Sequence, residues 1–415
     1  MKTYSSSKLT LLSLLLVGAA LGTHTSAQEA ETLRPLAVDD YFAIQSVGSP
    51  IVSPDGAWVV YTVSTKDLEN DRTESRLWSV PTAGGEARPI TAKGWGVGSP
   101  SWTPDGQYLA FTARSDDQGS QLFRLDLRGG GERVQITNVE GGIGGYKWSP
   151  DGKRLLLSIR DKNTDDPSGP WVIDRLVFKQ DYVGYLNHQR THLYVHDLEA
   201  KTTIQITDGD YDDYGATWSP DGSRIAFVSN RTAEPDASSN TDIWLVDPDT
   251  PYDQQEPVRV TTNPGTDDSP IWHPDGERIG YLMTYTDRTD IPASYLQSKV
   301  AIIRIGEDEP VLLTTEALDR KAWDPTFSPD GSQIYVQLED DGQVQLAAVS
   351  VADGELSRLI TGQVQVGATA VAPDGSVVVA ISKPRLPEDL FVLDANPPAG
   401  SEQPRRLTDV NGELL

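Results

Sequence analysis

Trp218-Ser219-Pro220-Asp221-Gly222 is one of seven copies of a short phrase in which Pro-Asp-Gly follows, in most copies, an aromatic residue and Ser or Thr. The other copies are Val52-Ser53-Pro54-Asp55-Gly56, Trp102-Thr103-Pro104-Asp105-Gly106, Trp148-Ser149-Pro150-Asp151-Gly152, Trp272-His273-Pro274-Asp275-Gly276, Phe327-Ser328-Pro329-Asp330-Gly331 and Val371-Ala372-Pro373-Asp374-Gly375. Pro presets φ at the second position of a type I turn, Asp is tolerated at the third, and Gly takes the left-handed conformation that closes a tight hairpin. Each copy therefore predicts a hairpin turn.

The spacing of the copies indicates a repeat architecture. Successive prolines of the phrase lie 50, 46, 70, 54, 55 and 44 residues apart, which is the range of structural repeats. Each turn is followed by an alternating apolar run such as 224–229, by a second strand pattern such as 242–247, and by a short closing strand such as 205–207. With the strand that leads into the turn, each unit has four antiparallel strands. Seven turns and seven closing strands predict an all-β fold, a seven-bladed β-propeller of four-stranded blades with WD40-like or TolB-like repeats.

The aromatic residue of the phrase is predicted to fill the space between neighbouring blades. A position that repeats in every unit serves packing in every unit, so we do not interpret these side chains as a ligand cage. The five residues concerned are Trp102, Trp148, Trp218, Trp272 and Phe327.

Composition and the N-terminus predict an exported protein. Residues 1–27 combine Lys2 and Lys8, an apolar core over 9–21 and small residues before Gln28, which is typical of a secretory signal peptide. No apolar segment reaches the length of about 20 residues that a membrane span needs, and the chain has no Cys. We expect a bacterial periplasmic or secreted protein without a membrane span. The net charge of −26 repels phosphate backbones and argues against nucleic-acid binding.

Catalytic and metal-binding motifs are absent from the sequence. It contains no Gly-x-Ser-x-Gly nucleophile elbow, no His-Glu-x-x-His and no Walker sequence. The acidic segment 208–213 begins like a calcium loop but has Asp213 where Gly is needed and Ser219 where Glu should stand. His192 and His196 lie four residues apart on one strand, too far apart to share a metal ion. We predict no catalytic residue, no metal and no cofactor in this chain.

The third unit carries an insertion. The excess of its spacing falls within 161–190, a segment that mixes aromatic, basic and apolar residues where other units have a few polar ones. Long loops with structure of their own are usually functional. Because it joins the second and third strands, the insertion should emerge at the same end of the blades as the connections between blades.

These features together resemble a known family. The turn phrases, the opening segment 36–42, and the insertion with 174–179, 184–186 and 190–194 are similar to the N-terminal propeller of prolyl oligopeptidase-family serine peptidases, in the acylaminoacyl-peptidase and dipeptidyl-peptidase-like branch. The resemblance implies an α/β-hydrolase domain after the propeller, which carries the catalytic triad, while the propeller caps the active site and admits short peptides. No triad residue matches in this chain, so we predict that it is inactive as a peptidase by itself.

The expected organisation is a signal peptide at 1–27, a lead-in at 28–48, the propeller at 49–408 and the start of a linker to a missing α/β-hydrolase domain at 409–415. The expected partners are that domain and peptides. An alternative of another class stays open, a free-standing periplasmic TolB-like propeller that binds proteins. Within the insertion, the cations Arg175 and Lys179 and the aromatic rings of Tyr182 and Tyr185 are candidates to face the partner domain or the peptide.

Overall fold

The computed structural model describes residues 37–115, 118–127, 131–163, 169, 172–181, 184–284, 296–314, 318–397, 400 and 403–414. Their regular structure is nearly all β, which confirms the predicted all-β class. The helical elements that lie wholly within these residues are one α-helix, α1 (Asp40–Ala43), and two short 3-10 helices at Pro235–Ala237 and Tyr252–Gln254.

The strands form antiparallel groups of four, which we number as units in chain order. Unit 1 contains β1 (Ser46–Val52), β2 (Trp58–Asp67), β3 (Arg72–Pro81) and β4 (Arg88–Pro89). Unit 2 contains β5 (Gly98–Trp102), β6 (Leu109–Arg114), β7 (Ser120–Leu125) and β8 (Arg133–Gln135). Unit 3 begins with β9 (Gly145–Trp148) and β10 (Arg154–Arg160), is interrupted by a separate hairpin of β11 (Lys179–Gln180) and β12 (Gly184–Tyr185), and ends with β13 (Thr191–Asp197) and β14 (Thr202–Gln205).

The later units repeat this plan. Unit 4 contains β15 (Asp213–Trp218), β16 (Ile225–Ser229), β17 (Asp242–Val246) and β18 (Val258–Arg259). Unit 5 contains β19 (Thr266–Trp272), β20 (Arg278–Thr284), β21 (Lys299–Arg304) and β22 (Val311–Leu312). Unit 6 contains β23 (Ala322–Phe327), β24 (Gln333–Asp340), β25 (Gln343–Ser350) and β26 (Leu356–Ile360). Unit 7 contains β27 (Gln365–Val371), β28 (Val377–Lys383), β29 (Leu386–Leu393) and β30 (Arg405–Arg406).

Units 1 to 5 are separate four-stranded sheets, whereas units 6 and 7 join into one eight-stranded sheet. The join is a single parallel pairing of Val344 in β25 with Gln365 in β27. Every unit is built from strands of one continuous stretch of chain. Among the described residues, no strand from the N-terminal unit therefore enters the C-terminal sheet.

The turn phrase adopts the predicted conformation. Its seven glycines have φ between +66° and +88°, so the prediction of left-handed turn glycines is confirmed. In unit 4 the Ser219 hydroxyl donates to Asp221 Oδ1 (2.6 Å) and accepts from the Arg224 N–H (2.9 Å). The hydrogen bond from Ser219 lowers the pKa of Asp221 to about 2. Ser219, Asp221 and Gly222 thus each contribute to the geometry of this turn.

The closing Ile-Thr pattern also has a local cause. At the end of the fourth strand, the Thr hydroxyl accepts the backbone N–H of a residue in the third strand and so continues the ladder beyond the last backbone pair. Six units show this bond at 2.8 to 3.0 Å, with the pairs Thr91 and Leu77, Thr137 and Leu122, Thr207 and Leu193, Thr261 and Ile243, Thr314 and Val300, and Thr408 and Leu390.

The hydrophobic core lies between the units. Seven clusters of buried side chains occur among the described residues, and each joins two units; burying one such side chain contributes about 1.5–3 kcal/mol. Representative pairs, from the seam of units 1 and 2 to the seam of units 7 and 1, are Leu77 with Phe111, Ala110 with Leu155, Leu193 with Phe227, Ile243 with Tyr281, Val300 with Val336, Leu346 with Val379, and Leu390 with Tyr61. The first and last units therefore pack on each other.

The repeated aromatic residues take part in these clusters, which confirms their predicted packing role. Three indoles also reach the first strand of the preceding unit. Trp148 donates to Ser101 Oγ (3.1 Å), Trp218 to Lys147 O (3.3 Å) and Trp272 to Thr217 O (3.2 Å).

Candidate interaction surface on the inserted segment

The insertion leaves unit 3 at Asp161 and returns at Arg190. The Asp161 N–H donates to Arg190 O (2.8 Å), and the Arg190 N–H donates to Asp161 Oδ2 (2.9 Å). Gln189 Nε2 donates to the Asp161 carbonyl. These bonds close the base of the segment, so the insertion starts from a defined position on the end of the sheet.

Arg175 holds the insertion against two neighbouring loops of the same chain. Its guanidinium binds Asp236 in a fork, with Nε 2.9 Å from Oδ2 and Nη2 2.7 Å from Oδ1, and Nη1 lies 2.6 Å from Asp210 Oδ1. Both Arg175 and Asp236 are less than one fifth exposed, and the fork geometry is the strong form of this ion pair. The hydrogen bonds that Arg175 donates to Asp236 raise the pKa of Arg175 and lower the pKa of Asp236.

The two carboxylates bound by Arg175 show where the insertion lies. Asp210 belongs to the connection from unit 3 to unit 4, and Asp236 belongs to the loop between β16 and β17. The insertion, an inter-unit connection and a loop between second and third strands therefore meet at one end of the molecule. We call it the insertion end.

The other predicted residues occupy the hairpin of the insertion. Lys179 in β11 pairs with Tyr185 in β12, and both are exposed. The Tyr185 ring stacks on Phe178, with 6.5 Å between centroids. Tyr182 lies outside the described residues. Lys179 and Tyr185 thus lie close together on the surface, whereas Arg175 is engaged underneath.

Several exposed side chains in the described part of the insertion are apolar. Val172, Ile173, Leu176 and Val177 are 48 to 70% exposed, and together with Phe178 and Tyr185 we call them the apolar face. Clustered exposed apolar residues of this kind mark interaction sites in soluble proteins. Reasoning from the sequence emphasised the cations and tyrosines and missed these aliphatic residues. Their signal was a run of apolar residues, Leu176-Val177-Phe178, inside a loop.

A buried histidine lies below the base of the insertion. His192 is 1% exposed, with Nδ1 3.3 Å from Asp213 Oδ2 and Nε2 3.6 Å from Asp161 Oδ2 and 3.7 Å from Asp208 Oδ1. Burial alone would lower the pKa of His192, but the hydrogen bond and charge of Asp213, with the charges of Asp161 and Asp208, raise it overall. The sequence excludes a metal site shared by His192 and His196 but does not predict this cluster of carboxylates around His192. The cluster ties unit 3, unit 4 and the insertion together.

Among the described residues, no helix is long and apolar enough to cross a membrane. The same residues contain no group of three or more His, Cys, Asp or Glu side chains that could hold a metal ion.

Comparison with known proteins finds relatives over part of the chain and similar folds over most of it. No family model matches the chain. Dipeptidyl-peptidase 5 of Trichophyton schoenleinii is 30% identical over 139 residues, which are 32% of this chain and 18% of that protein. Dipeptidyl-peptidase 5 of Arthroderma otae is 28% identical over a segment of the same length.

Solved structures share the fold over most of the chain. Acylaminoacyl peptidase, determined in complex with Z-Gly-Gly-Phe-chloromethyl ketone, gives a TM-score of 0.69 at 19% identity and covers 90% of this chain and 54% of that one. The β-propeller domain of the Trilobed protease from Pyrococcus furiosus gives a TM-score of 0.62 at 17% identity and covers 88% and 99%. The chain has the fold of that β-propeller domain. It spans about half of the acylaminoacyl peptidase chain and about one fifth of the dipeptidyl-peptidase 5 proteins that it matches.

Proposed function

We propose that this chain is the propeller portion of an exported prolyl oligopeptidase-family serine peptidase and that its seven units are seven four-stranded blades. In this proposal the propeller caps the active site of an α/β-hydrolase domain and filters peptide substrates. The observation that carries the proposal is the ring of contacts. Each unit packs on the next, and unit 7 packs on unit 1 through a cluster that includes Tyr61, Leu390 and Val392. A closed ring of sheets can exclude folded proteins from a site at one end while short peptides pass.

The turns support the same closed arrangement. A Cβ built on Gly222 would lie 3.4 Å from Pro150 in the turn of the preceding unit, and a Cβ on Gly56 would lie 3.8 Å from Pro373 in the turn of unit 7. The turns of units 7 and 1 are thus neighbours in the same way as those of units 3 and 4.

The apolar face is proposed as the contact surface for the catalytic domain. Thr408 in unit 7 and Thr207 in unit 3 occupy equivalent positions, because the hydroxyl of Thr408 accepts the Leu390 N–H and the hydroxyl of Thr207 accepts the Leu193 N–H. Residues 409–414 therefore leave unit 7 where 208–212 leave unit 3. A domain that continues from the C-terminal segment would therefore start at the insertion end. The exposed aliphatic and aromatic side chains there would lose contact with water on docking.

Export remains part of the proposal. Residues 1–27 have the composition of a signal peptide and lie outside the described residues. The proposed location is a bacterial periplasm or the extracellular space, although the relatives in Trichophyton and Arthroderma are fungal.

The proposed function is tested by comparing residues 28–415 alone with the same residues fused to the α/β-hydrolase domain of a relative. The isolated propeller should give no turnover of dipeptidyl or acylaminoacyl chromogenic substrates and no labelling by a serine-directed probe. The fusion should cleave short peptides and spare folded proteins, while the hydrolase domain alone should not discriminate. Turnover by the isolated propeller that the probe abolishes would refute the proposal.

The contact surface is tested with the variants Leu176→Ser and Tyr185→Ala in the fusion. Both should weaken domain association and peptide turnover, because each removes apolar surface from the proposed contact. The matched control is Val258→Ser, since Val258 is 63% exposed but lies in β18 of unit 4. If the insertion variants keep wild-type association and turnover, the insertion is only structural.

A further inference from the structure

Two buried carboxylates meet at the seam between units 4 and 5. Asp242 at the start of β17 is 2% exposed, and Asp267 in β19 is fully buried. The Asp267 N–H donates to Thr241 O (2.9 Å), and Thr241 Oγ1 donates to Asp267 O (3.1 Å). Because Thr241 directly precedes Asp242, these bonds hold the backbones of the two acids side by side.

Each carboxylate has one partnered and one unpartnered oxygen. Asp242 Oδ2 lies 2.7 Å from Arg259 Nη2, and Asp267 Oδ1 accepts from Asn263 Nδ2 (2.9 Å). Thr261 lies within hydrogen-bonding reach of both acids. Asp242 Oδ1 and Asp267 Oδ2 are buried and have no hydrogen-bond partner within the part of the chain that the structure describes. Such atoms are rare in folded proteins and require an explanation.

The seam between units 2 and 3 shows that this arrangement is not required by the fold. There the Ile143 N–H donates to Ser120 O (2.8 Å), as Asp267 does to Thr241. The residue after Ser120 is Gln121, whose Nε2 donates to Val139 O (2.6 Å) and whose Oε1 accepts from Thr137 Oγ1 (2.8 Å). The equivalent seam thus combines one satisfied amide with one apolar side chain and has no surplus acceptor.

Among the described residues, the charges around the acid pair leave one negative charge unbalanced. Arg259 pairs with Asp242, and the phenol of Tyr281 approaches from unit 5 without supplying a charge. Across β16, Asp213 is already paired with Arg231. Burial, together with the charge of Asp242, raises the pKa of Asp267 to about 7, and burial also raises the pKa of Asp242. A second buried carboxylate in such a site takes up a proton or another cation.

We propose that the buried pair of Asp242 and Asp267 holds one proton in the folded protein, and that release of this proton to solvent loosens the seam between units 4 and 5. With the proton in place, the pair carries one negative charge, which Arg259 balances. Without it, a second negative charge is buried at the seam.

The seam is connected to the candidate surface. The loop between β16 and β17 contains Asp236, which holds Arg175 of the insertion, and the loop leads through Thr241 into the acid pair. Loosening the seam therefore loosens the anchor of the insertion. This inference stands on the buried pair and does not depend on the proposed peptidase function.

The test compares wild type with Asp267→Asn by denaturant unfolding between about pH 5 and pH 8.5. A group whose folded pKa is raised contributes stability that is present at low pH and lost as the pH rises through the folded value. For Asp267 this window runs from its unfolded value near 4 to about 7. The unfolding constant of wild type, divided by that of Asp267→Asn, should rise by up to about tenfold per pH unit within the window and level off above it. After correction for the intrinsic exchange rate, the amide protection of Ile243 in wild type should be lower above the window than below it. In Asp267→Asn the protection should be the same above and below the window.

Three results would overturn the proposal. The first is a ratio of unfolding constants that does not change with pH. The second is an increase in the stability of wild type at about pH 8.5 when Ca²⁺ or K⁺ is added, with no such increase in Asp267→Asn. A metal ion, and not a proton, would then balance the second negative charge. If Asp267→Asn does not fold, infrared spectra of wild type decide, since the proposal requires the C=O stretch of a protonated carboxylic acid at about pH 6 and its loss at about pH 9. Absence of that band is the third result.

Discussion

At the scale of the residue, the turn glycines require a left-handed backbone conformation. Gly222 has φ +70°, and a Cβ there would be 3.4 Å from Pro150, an ordinary contact. A side chain at position 222 would therefore destabilise the folded state through backbone strain and not through a steric clash. Gly222→Val should lower the free energy of unfolding by about 1–3 kcal/mol, measured by urea denaturation.

Gly145 provides the matched control for this substitution. It lies in β9, its φ is not in the left-handed region, and a Cβ on it would meet no atom within 4 Å. Gly145→Val should leave the stability nearly unchanged. Equal effects of the two substitutions would contradict the turn assignment.

At the scale of the element, the insertion depends on a few polar anchors. The fork from Arg175 to Asp236 is largely shielded from water, and removing one partner leaves the other charge unpaired. Arg175→Ala should therefore reduce the local stability of 172–186 by about 1–3 kcal/mol, while the sheets remain folded. Hydrogen exchange and limited proteolysis of the segment would measure the loss.

Lys179→Ala is the control for the anchor, because Lys179 is an exposed cation of the same insertion. Its replacement should leave protection and cleavage unchanged. If Arg175→Ala behaves in the same way as Lys179→Ala, the ion pair does not hold the insertion in place.

At the scale of the whole molecule, the seam of units 7 and 1 decides whether the units act as one ring. Leu390 in this seam and Leu193 in the seam of units 3 and 4 are both fully buried. In a closed ring every seam is internal, so Leu390→Ala and Leu193→Ala should each destabilise the protein by about 2–5 kcal/mol in one cooperative transition. Calorimetry of both variants measures this.

An open arrangement gives a different result. Leu390→Ala would then produce a separate, early transition for the terminal unit, or a loss of stability much smaller than that of Leu193→Ala. Either outcome would contradict the seven-bladed ring proposed for this chain.

The sequence by itself determined the repeating unit. The Ser-Pro-Asp-Gly turn and the closing Thr act within a few residues or across one hairpin, so their geometry follows from local sterics and hydrogen bonding. The all-β class, the turn conformation and the packing role of the repeated Trp residues could be predicted for this reason. The unusual length of unit 3 likewise showed where the candidate surface lies, because an insertion is visible in the spacing of the repeats.

Only the tertiary structure decided which side chains of that surface are available. Arg175 is a predicted candidate to face the partner domain or the peptide, and the structure adds that its guanidinium binds Asp210 and Asp236, 35 and 61 residues away. The pairing of Asp242 with Asp267 and the contact of unit 7 with unit 1 are equally non-local. Charge and hydropathy patterns report how each residue interacts with water, whereas these contacts depend on how separate sheets are placed against each other, which no local pattern records.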